Sequence, residues 1–495
     1  MKSCVIIGGG LGGLSCGVIL AKNGYKVTVL EQGGQIGGCL QCFKREGVIF
    51  DTGMHYIGSA SEGETLHKIF SYLEIADKIK LSQLDPLGYD VISYKGEHYK
   101  FANGRENFIE TLADKFPNSK EELGNYYDLV KRVISSSAMH SLNSNVDVNV
   151  YAQYQTKSID EVMDSLISDP TLREILVGII PLYAGIKGHT PFSTHALIYE
   201  SFNQSAYRIV GGSSIVADSL ANVIRKYGGQ VLSNKRVIEI ECDNSKCTSV
   251  KTSDGESFDT ELVISSIHPY STVKLINSNL IRPAYRRRME GLKNTVSPFT
   301  LYLKFKKDRV KYLNSNFYYY REDSVWGCEE YDSTNWPKML LYMHFCHTEN
   351  PLFAQSGEIL TYMNFSEVQK WEGSRRGCRG DEYEAFKKEK GEQLIKALAE
   401  EFPGIESDIE SYYTSTPLTY LDYTGTPEGS MYGVSKDAKN IGLGGVSSKT
   451  SIPNLLLTGQ SITSHGMFGV LATSLVTCSE LLSREKILNQ IIFSK

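Results

Sequence analysis

Residues 3–31, SCVIIGGGLGGLSCGVILAKNGYKVTVLE, decide the fold of this chain. Residues 4–7 form a short apolar run of the kind that a parallel sheet buries on both faces, and it leads directly into the pattern Gly-x-Gly-x-x-Gly. Apolar residues then recur at helical spacing until Asn23, and a second apolar run, residues 26–30, ends at Glu31. The stretch therefore predicts a strand, a helix and a second parallel strand, which together make a βαβ unit.

The glycines of this unit are spaced for a dinucleotide. Gly8 allows a tight turn, Gly10 lets a pyrophosphate approach the backbone, and Gly13 lets the helix pack closely on the strand. The helix N-terminus adds amide donors and a positive dipole. Glu31 follows about twenty residues later, where its carboxylate can accept hydrogen bonds from ribose hydroxyls and would repel a 2′-phosphate. A tight turn between packed elements is the alternative, but the complete order of strand, helix, strand and acid argues against it.

Length and composition set limits on the rest of the protein. The chain has 495 residues, 41% hydrophobic and 22% charged, which is typical of a globular protein with two domains or one interleaved pair. A net charge of −5 gives no reason to expect a nucleic-acid partner, because phosphate binding needs a clustered basic face. Neither a signal peptide nor a membrane-spanning run is apparent, which predicts a cytoplasmic protein. The longest apolar run, residues 175–186, leaves peripheral contact with a membrane open.

A glycine pair, Gly37-Gly38, follows the ribose acid and opens the string GGCLQCF. Its cysteines, Cys39 and Cys42, have the C-x-x-C spacing that is found in metal sites and in redox dithiols. A third possibility is that the pair has neither role. A zinc clip needs about four ligands, and the nearest histidine, His55, supplies no second close pair, so we predict no metal site. The redox dithiol resembles that of flavin-dependent disulfide reductases, but those enzymes use a wider cysteine spacing and carry a separate NAD(P)H domain. No second strand-GxGxxG-helix unit is visible in this sequence.

The longer string GGCLQCFKREGVIFDTGMHYIG, residues 37–58, carries a family resemblance. The βαβ unit followed by a glycine pair resembles the N-terminal signature of flavoproteins of the amine oxidase and phytoene desaturase superfamily. The ending, FDTGMHYIG, closely resembles the same segment of the retinol saturase (all-trans-retinol 13,14-reductase) and carotenoid isomerase family. Cys39 belongs to that pattern, whereas Cys42 is a substitution in it. Residues 371–388 and 416–433 are similar to the same family, so the likeness covers nearly the whole chain.

The resemblance implies an α/β fold with FAD as the cofactor. A discontinuous, Rossmann-type FAD-binding domain would comprise residues 1–70, 200–275 and 410–495, and an inserted α+β substrate-binding domain would comprise residues 71–199 and 276–409. Residues expected to contact FAD, from the glycine turn and from the resemblance together, are Gly8, Gly10, Leu11, Gly12, Gly13, Glu31, Gln32, Gly37, Gly38, Cys39, Gly53, Met54, His55, Val237, Gly459, Gln460, Gly469 and Val470.

Cys39 stands where amine oxidase relatives often carry an arginine that reaches a cofactor phosphate. An uncharged thiol cannot do this, so the phosphates must be neutralised by backbone amides and the helix dipole or by another cation. At the other end of the chain, residues 453–482 resemble the closing FAD motif, whose helix begins near Met467 and points its N-terminus at the flavin.

The resemblance also implies an oxidoreductase that acts on CH–CH groups. It would saturate a carbon–carbon double bond of a retinoid- or carotenoid-like polyene or isoprenoid lipid by hydride transfer at flavin N5, with NAD(P)H or another external reductant. His55, Tyr56 and His465 are candidates for proton transfer, with orientation or packing as the alternative role. The open alternatives are a redox-neutral carotenoid cis–trans isomerase, a phytoene-type desaturase and a flavin-bound lipid carrier without turnover.

Overall fold

The computed structural model describes residues 2–346, 348, 351–440 and 445–493. Its β-strands are β1 Ser3–Ile7, β2 Lys26–Leu30, β3 Cys42–Arg45, β4 Val48–Asp51, β5 Ile57–Gly58, β6 Leu81–Gln83, β7 Asp90–Tyr94, β8 Glu97–Phe101, β9 Ala206–Ile209, β10 Gln230–Leu232, β11 Val237–Cys242, β12 Cys247–Thr252, β13 Ser257–Asp259, β14 Leu262–Ser265, β15 Ser297–Phe305, β16 Asn316–Tyr320, β17 Met339–Phe345, β18 Ser356–Met363, β19 Ile409–Ser415 and β20 Leu455–Leu457.

The α-helices of the same described ranges are α1 Leu11–Lys22, α2 Thr65–Tyr72, α3 Arg105–Ala113, α4 Lys120–Ser135, α5 Ala138–Ser141, α6 Val148–Gln155, α7 Ile159–Leu166, α8 Pro170–Leu176, α9 Phe192–Gln204, α10 Ser214–Lys226, α11 Pro269–Lys274, α12 Pro283–Glu290, α13 Asp381–Glu401, α14 Ile405–Asp408, α15 Pro417–Thr424, α16 Gly466–Leu482 and α17 Arg484–Ile492.

An all-parallel sheet of five short strands, in the order β10-β2-β1-β14-β20, carries the N-terminal unit. Helix α1 connects β1 to β2, ends at Lys22, and is followed by Gly24 in the left-handed conformation at φ +83°. Helices α10 and α16 pack against α1, which buries every residue from Leu11 to Ala21. The predicted βαβ unit and the α/β Rossmann-type fold are confirmed. Because the strands come from three separate parts of the chain, the sheet is discontinuous in sequence.

A second, mixed sheet of seven strands has the order β19-β15-β18-β17-β16-β7-β8. Neighbouring strands are antiparallel except β16 and β7, which run parallel. Successive side chains alternate between the two faces of a strand. In β17, Leu340 and Tyr342 pack into a core shared with Trp336 and helix α13, whereas Leu341 and Met343 pack into the larger core on the opposite face. The sheet is therefore buried on both faces.

The apolar stretch 175–186 lies within the helical layer formed by α3 to α9. Ile175, Leu176 and Ile180 are buried, and only Ile186, at 36%, is substantially exposed. This stretch therefore cannot supply the membrane contact considered from the sequence, because its side chains fill the protein core. Across the part of the chain that the structure describes, no helix has both the length and the apolar character needed to cross a bilayer.

The predicted domain limits stay a prediction. Strand β19, which spans Ile409–Ser415, pairs with β15 in the seven-stranded sheet, so it crosses the limit predicted between residues 409 and 410.

Candidate functional site

A cavity of about 450 Å³ lies where the carboxyl ends of the five-stranded sheet face the seven-stranded sheet. The first sheet borders it with residues that follow its strands, including Gly8, Glu31, Ser266 and Gly459. Ligands of open parallel sheets bind outside the carboxyl ends of the strands, so the cavity lies at the expected place for a nucleotide cofactor.

The glycine turn forms one wall of this cavity. A Cβ atom on Gly13 would lie 2.1 Å from the carbonyl oxygen of Gly8, so this glycine is required for close packing of α1 on β1. Gly13 is also the one predicted FAD-contact residue that does not line the cavity; the others all do. A Cβ atom on Gly10 would meet no described atom closer than 4.0 Å, so the backbone there is open to a ligand. Both positions are compatible with the roles predicted from the motif, which stay predictions.

Hydrogen-bond donors and Glu31, the acid predicted to bind the ribose, meet at this wall. Helix α1 begins after Gly10, which has no side chain to cap it, so the first amide N–H groups of the helix lack intrahelical partners. Glu31 Oε2 accepts a hydrogen bond from the Gly9 amide at 2.8 Å, and Oε1 accepts one from the Gly33 amide at 2.7 Å. Burial raises the pKa of Glu31, while these two donors oppose the shift. A glycine cradle, free amides and a nearby acid fit the pyrophosphate and ribose of FAD.

The glycine pair and Cys39 extend this wall. Gly37 and Gly38 both have positive φ, +116° and +57°, and the Gly37 amide donates to the Gly9 carbonyl oxygen at 2.8 Å. Burial raises the pKa of the Cys39 thiol to about 11, which keeps it neutral. A neutral thiol carries no charge with which to bind a phosphate as an arginine would. Arg236 is an exposed cation that also lines the cavity.

Cys42 faces away from the cavity lining. Its thiol donates to Asp51 Oδ1 at 3.2 Å and lies 3.6 Å from Ser213 Oγ. Burial, reinforced by the charge of Asp51, raises the pKa of this thiol to about 12. Both Cys39 and Cys42 are free thiols. Within the described residues, no group of three or more His, Cys, Asp or Glu side chains could hold a metal ion.

Where the helical layer and the seven-stranded sheet border the cavity, its lining is apolar. The sequence did not identify these residues, because they come from segments far apart in the chain that only folding brings together. They include Leu182, Leu197, Ile198, Phe202, Leu341 and Leu360.

His55 lines the cavity between the two kinds of wall. Its Nδ1 lies 2.9 Å from Glu358 Oε2, and the two side chains are only 8% and 1% exposed. The groups are close enough for an ion pair but are not aligned as a hydrogen bond, and His55 Nε2 has no hydrogen-bond partner among the described residues. Burial raises the pKa of Glu358, whereas the neighbouring imidazole opposes that shift. Glu358 was missed at the sequence level, although it is the sole charged residue of strand β18, SGEILTYM.

The hydroxyl of Tyr56 is already committed to a buried network. It donates to Asp90 Oδ2 at 3.1 Å and lies 2.6 Å from the hydroxyl of Tyr318. The Asn316 amide donates to the other carboxylate oxygen of Asp90 at 2.7 Å. Burial raises the pKa of Asp90 to about 7 and raises that of Tyr56 well above its usual range. Of two adjacent candidates, His55 thus keeps a free polar atom and Tyr56 does not.

His465 borders the cavity at the N-cap of helix α16. Its ring stacks on Tyr432 with 4.4 Å between centroids. Burial lowers the pKa of His465 to about 3, and the charge of Lys436 acts in the same direction. The imidazole is therefore neutral near pH 7. Lys436 itself donates to the carbonyl oxygens of Ser461 and Ile462 at 2.9 and 2.8 Å.

A glycine cradle at the carboxyl edge of a parallel sheet, an acid after the second strand and a partly apolar cavity fit an FAD-dependent oxidoreductase. The profile of the family described as flavin containing amine oxidoreductase matches residues 11–366. The chain belongs to this family.

Its relatives include enzymes that are named for retinol and prolycopene. The chain is 29% identical to all-trans-retinol 13,14-reductase of Rattus norvegicus, covering 97% of this chain and 85% of that protein. It is 24% identical to prolycopene isomerase 1 of an Oncidium hybrid cultivar, with 92% and 79% covered. The crystal structure of an oxidoreductase from Methanosarcina mazei has the same fold, with a TM-score of 0.63 and 15% identity over 97% of this chain and all of that one. The predicted family resemblance is confirmed.

Proposed function

We propose that this protein reduces a carbon–carbon double bond of a retinoid- or carotenoid-like polyene or a related isoprenoid lipid. The observation that carries the proposal is one cavity bordered by a nucleotide-binding glycine cradle, by apolar side chains and, between them, by His55 with an unpartnered Nε2 atom. Apolar lining favours a lipid because each Å² of apolar surface buried contributes about 25 cal/mol. The 29% identity to a retinol reductase over nearly the whole chain supports the same substrate class.

The residues that would hold FAD come from the N-terminal βαβ unit, from β11 and from helix α16. The amides that begin α1 would bind the pyrophosphate, and Glu31 would accept hydrogen bonds from the ribose. The backbone at Val237, which begins β11 at the cavity edge, would contact the adenine. The N-terminal turn of α16, including Gly469 and Val470, would direct its positive dipole at the flavin.

Saturation of a double bond requires a hydride on one carbon and a proton on the other. Bound, reduced FAD supplies the hydride. We assign the proton to His55, at Nε2, because this residue lines the cavity and its Nε2 has no hydrogen-bond partner among the described residues. Tyr56 would instead orient this segment through Asp90, and the neutral His465 would pack at the cavity wall.

The electrons would come from an external donor. NAD(P)H is one candidate donor. Because the sequence has a single nucleotide-binding turn, the electrons would be delivered by a donor protein or by a nicotinamide that binds only transiently. We propose a cytoplasmic location, where reduced nicotinamides are available and the ten free cysteines stay reduced. The enzyme would meet its lipid at a membrane surface without spanning it.

The test begins with the absorbance spectrum of the purified protein, which should show bound flavin. Anaerobic mixing with a reductant and all-trans-retinol should then cause a loss of the polyene absorbance or its shift to shorter wavelength, because one conjugated double bond is removed. Mass spectrometry should find a product heavier by two hydrogens. A protein that cannot be reconstituted with FAD contradicts the proposal.

Two other outcomes identify different functions. A changed polyene isomer with the same mass, at constant flavin redox state, would indicate an isomerase, which the likeness to prolycopene isomerase makes the second candidate. Tight binding of retinol without any change in its spectrum would indicate a lipid carrier.

A further inference from the structure

Glu358 is an unusual residue for its surroundings. It lies in the middle of β18, whose other residues are uncharged, and its side chain is 1% exposed. Across the sheet it pairs with Tyr302 of β15 and Met343 of β17. Because side chains alternate along a strand, Glu358 shares a face with Leu360, which lines the cavity. An ionisable group is thus buried directly behind the apolar wall.

Among the described residues, Glu358 lacks the hydrogen bonds that usually stabilise a buried carboxylate. Buried carboxylates are normally hydrogen-bonded at both oxygens, since an unpaired charge is costly away from water. Glu358 Oε1 has no hydrogen-bond partner within the described chain, and Oε2 lies 2.9 Å from His55 Nδ1. The opposite ring atom, His55 Nε2, is also unpartnered. The Glu358 carboxylate therefore lies beside an imidazole that belongs to a residue lining the cavity.

We propose that Glu358 is a positioning residue that orients His55 and supplies the charge balance for its proton transfer. The inference rests on the proposed function, because it assigns a partner to the residue that would protonate the substrate. The carboxylate, 2.9 Å from Nδ1, would hold the ring on that side, so that Nε2 would be the nitrogen that serves the substrate. Histidines that act in catalysis are commonly oriented by a carboxylate on the other ring nitrogen.

The proton balance follows from the pair. Before the step, imidazole and carboxylate together hold two acidic protons, one of them on Nε2. The proton on Nε2 forms a bond to the substrate carbon, and the remaining proton stays on Nδ1 facing the Glu358 carboxylate. Solvent then returns one proton to the pair. No electrons pass through these groups, so no oxidant or reductant is needed beyond the donor already proposed.

Other charged and titratable groups face Glu358 and set its protonation. Burial raises the pKa of Glu358 and the charge of Asp51 adds to this, whereas His55 and Arg208 lower it. Arg208 also donates to the His55 carbonyl oxygen at 3.2 Å, which ties the guanidinium to the same loop. Tyr302 and Tyr420 complete the group, and burial raises the pKa of both hydroxyls. The pH dependence of the pair is therefore a property of this whole cluster.

The test is Glu358→Gln, with Glu200→Gln as the matched control. Glu200 is another buried acid with a pKa raised by burial, but it bonds Gln204 in α9. In flavin-loaded protein without substrate, Glu358→Gln should change the ¹⁵N shifts of the His55 ring, which are assigned by their loss in His55→Gln. During turnover it should lower kcat about tenfold or more and move the alkaline limb of the pH–rate profile down by about one unit. Glu200→Gln should leave both measurements unchanged.

The outcomes separate this inference from the proposed function. If the unaltered protein does not reduce polyenes but the His55 signals still depend on Glu358, the proposed function fails and the pair stands. If polyenes are reduced and Glu358→Gln matches Glu200→Gln in ring shifts and pH profile, the pair is overturned. Glu358→Asp serves if the glutamine variant does not fold: it should keep KM and lose part of kcat, and an unchanged kcat overturns the inference.

Discussion

The hydroxyl of Tyr56 donates a hydrogen bond to Asp90 across 3.1 Å, which ties the segment beside the cavity to strand β7 of the seven-stranded sheet. The preceding residue, His55, directs its ring to Glu358 in the same sheet. Two consecutive side chains thus meet two different buried carboxyl groups. The Asp90 contact bears mainly on stability, and the Glu358 contact bears on the proposed chemistry.

The stability contribution of Asp90 should fall as pH rises. Burial raises the pKa of Asp90 to about 7, compared with about 3.9 for an unfolded chain. The unfolded chain therefore loses this proton first, so the contribution is fully present below about pH 4 and is lost progressively up to about pH 7. Asp90→Asn cannot ionise. In urea unfolding it should gain about 3 kcal/mol relative to the unaltered protein between about pH 5 and pH 8. Parallel stability curves would contradict the assignment.

His55 and His465 should differ sharply in their importance for turnover. His55→Gln removes the proposed proton donor, so kcat should fall by about 10²–10⁴ while FAD content stays normal. His465→Gln should have a much smaller effect, because burial holds the pKa of His465 at about 3 and its ring is neutral. Steady-state kinetics with flavin quantified by absorbance compares the two. Equal losses of kcat would exclude His55 as the specific donor.

Gly10 and Gly13 should respond differently to an added methyl group. Gly13→Ala would place Cβ 2.1 Å from the Gly8 carbonyl oxygen, so it should destabilise the apoprotein by roughly 1–3 kcal/mol or prevent folding. Gly10→Ala meets no described atom within 4.0 Å, so apoprotein stability should change by less than about 1 kcal/mol. Its methyl group would occupy the path of the pyrophosphate and weaken FAD binding about tenfold or more. Thermal unfolding of the apoprotein and FAD titration measure the two effects.

Cys42→Ser should leave both flavin content and activity within about twofold of normal, because a serine hydroxyl can replace the thiol as donor to Asp51. Absorbance of bound flavin and the rate of polyene reduction give the comparison. Loss of both would restore the redox-dithiol interpretation of the C-x-x-C pair.

Much of the FAD site was predictable from the sequence. The glycine turn, the acid Glu31 after the second strand and the helix that begins at Gly466 were predictable, because each depends on residue spacing within a short stretch of chain. The helical layer of the first insertion and the strands of the second were predictable for the same reason. The contact between His55 and Glu358 was not predictable, because no local sequence pattern distinguishes a buried acid with a function from a buried acid without one.

The sequence by itself determined the βαβ unit, the glycine cradle and the flavoprotein class, since each requires particular residue types a few positions apart. Only the tertiary structure decided that Glu358 meets His55, that Asp90 takes the Tyr56 hydroxyl, and that the stretch 175–186 is buried. These outcomes depend on helix packing and strand pairing between distant segments. Such pairing sets which side chains lose water and which charges become neighbours, and the sequence order alone does not contain that information.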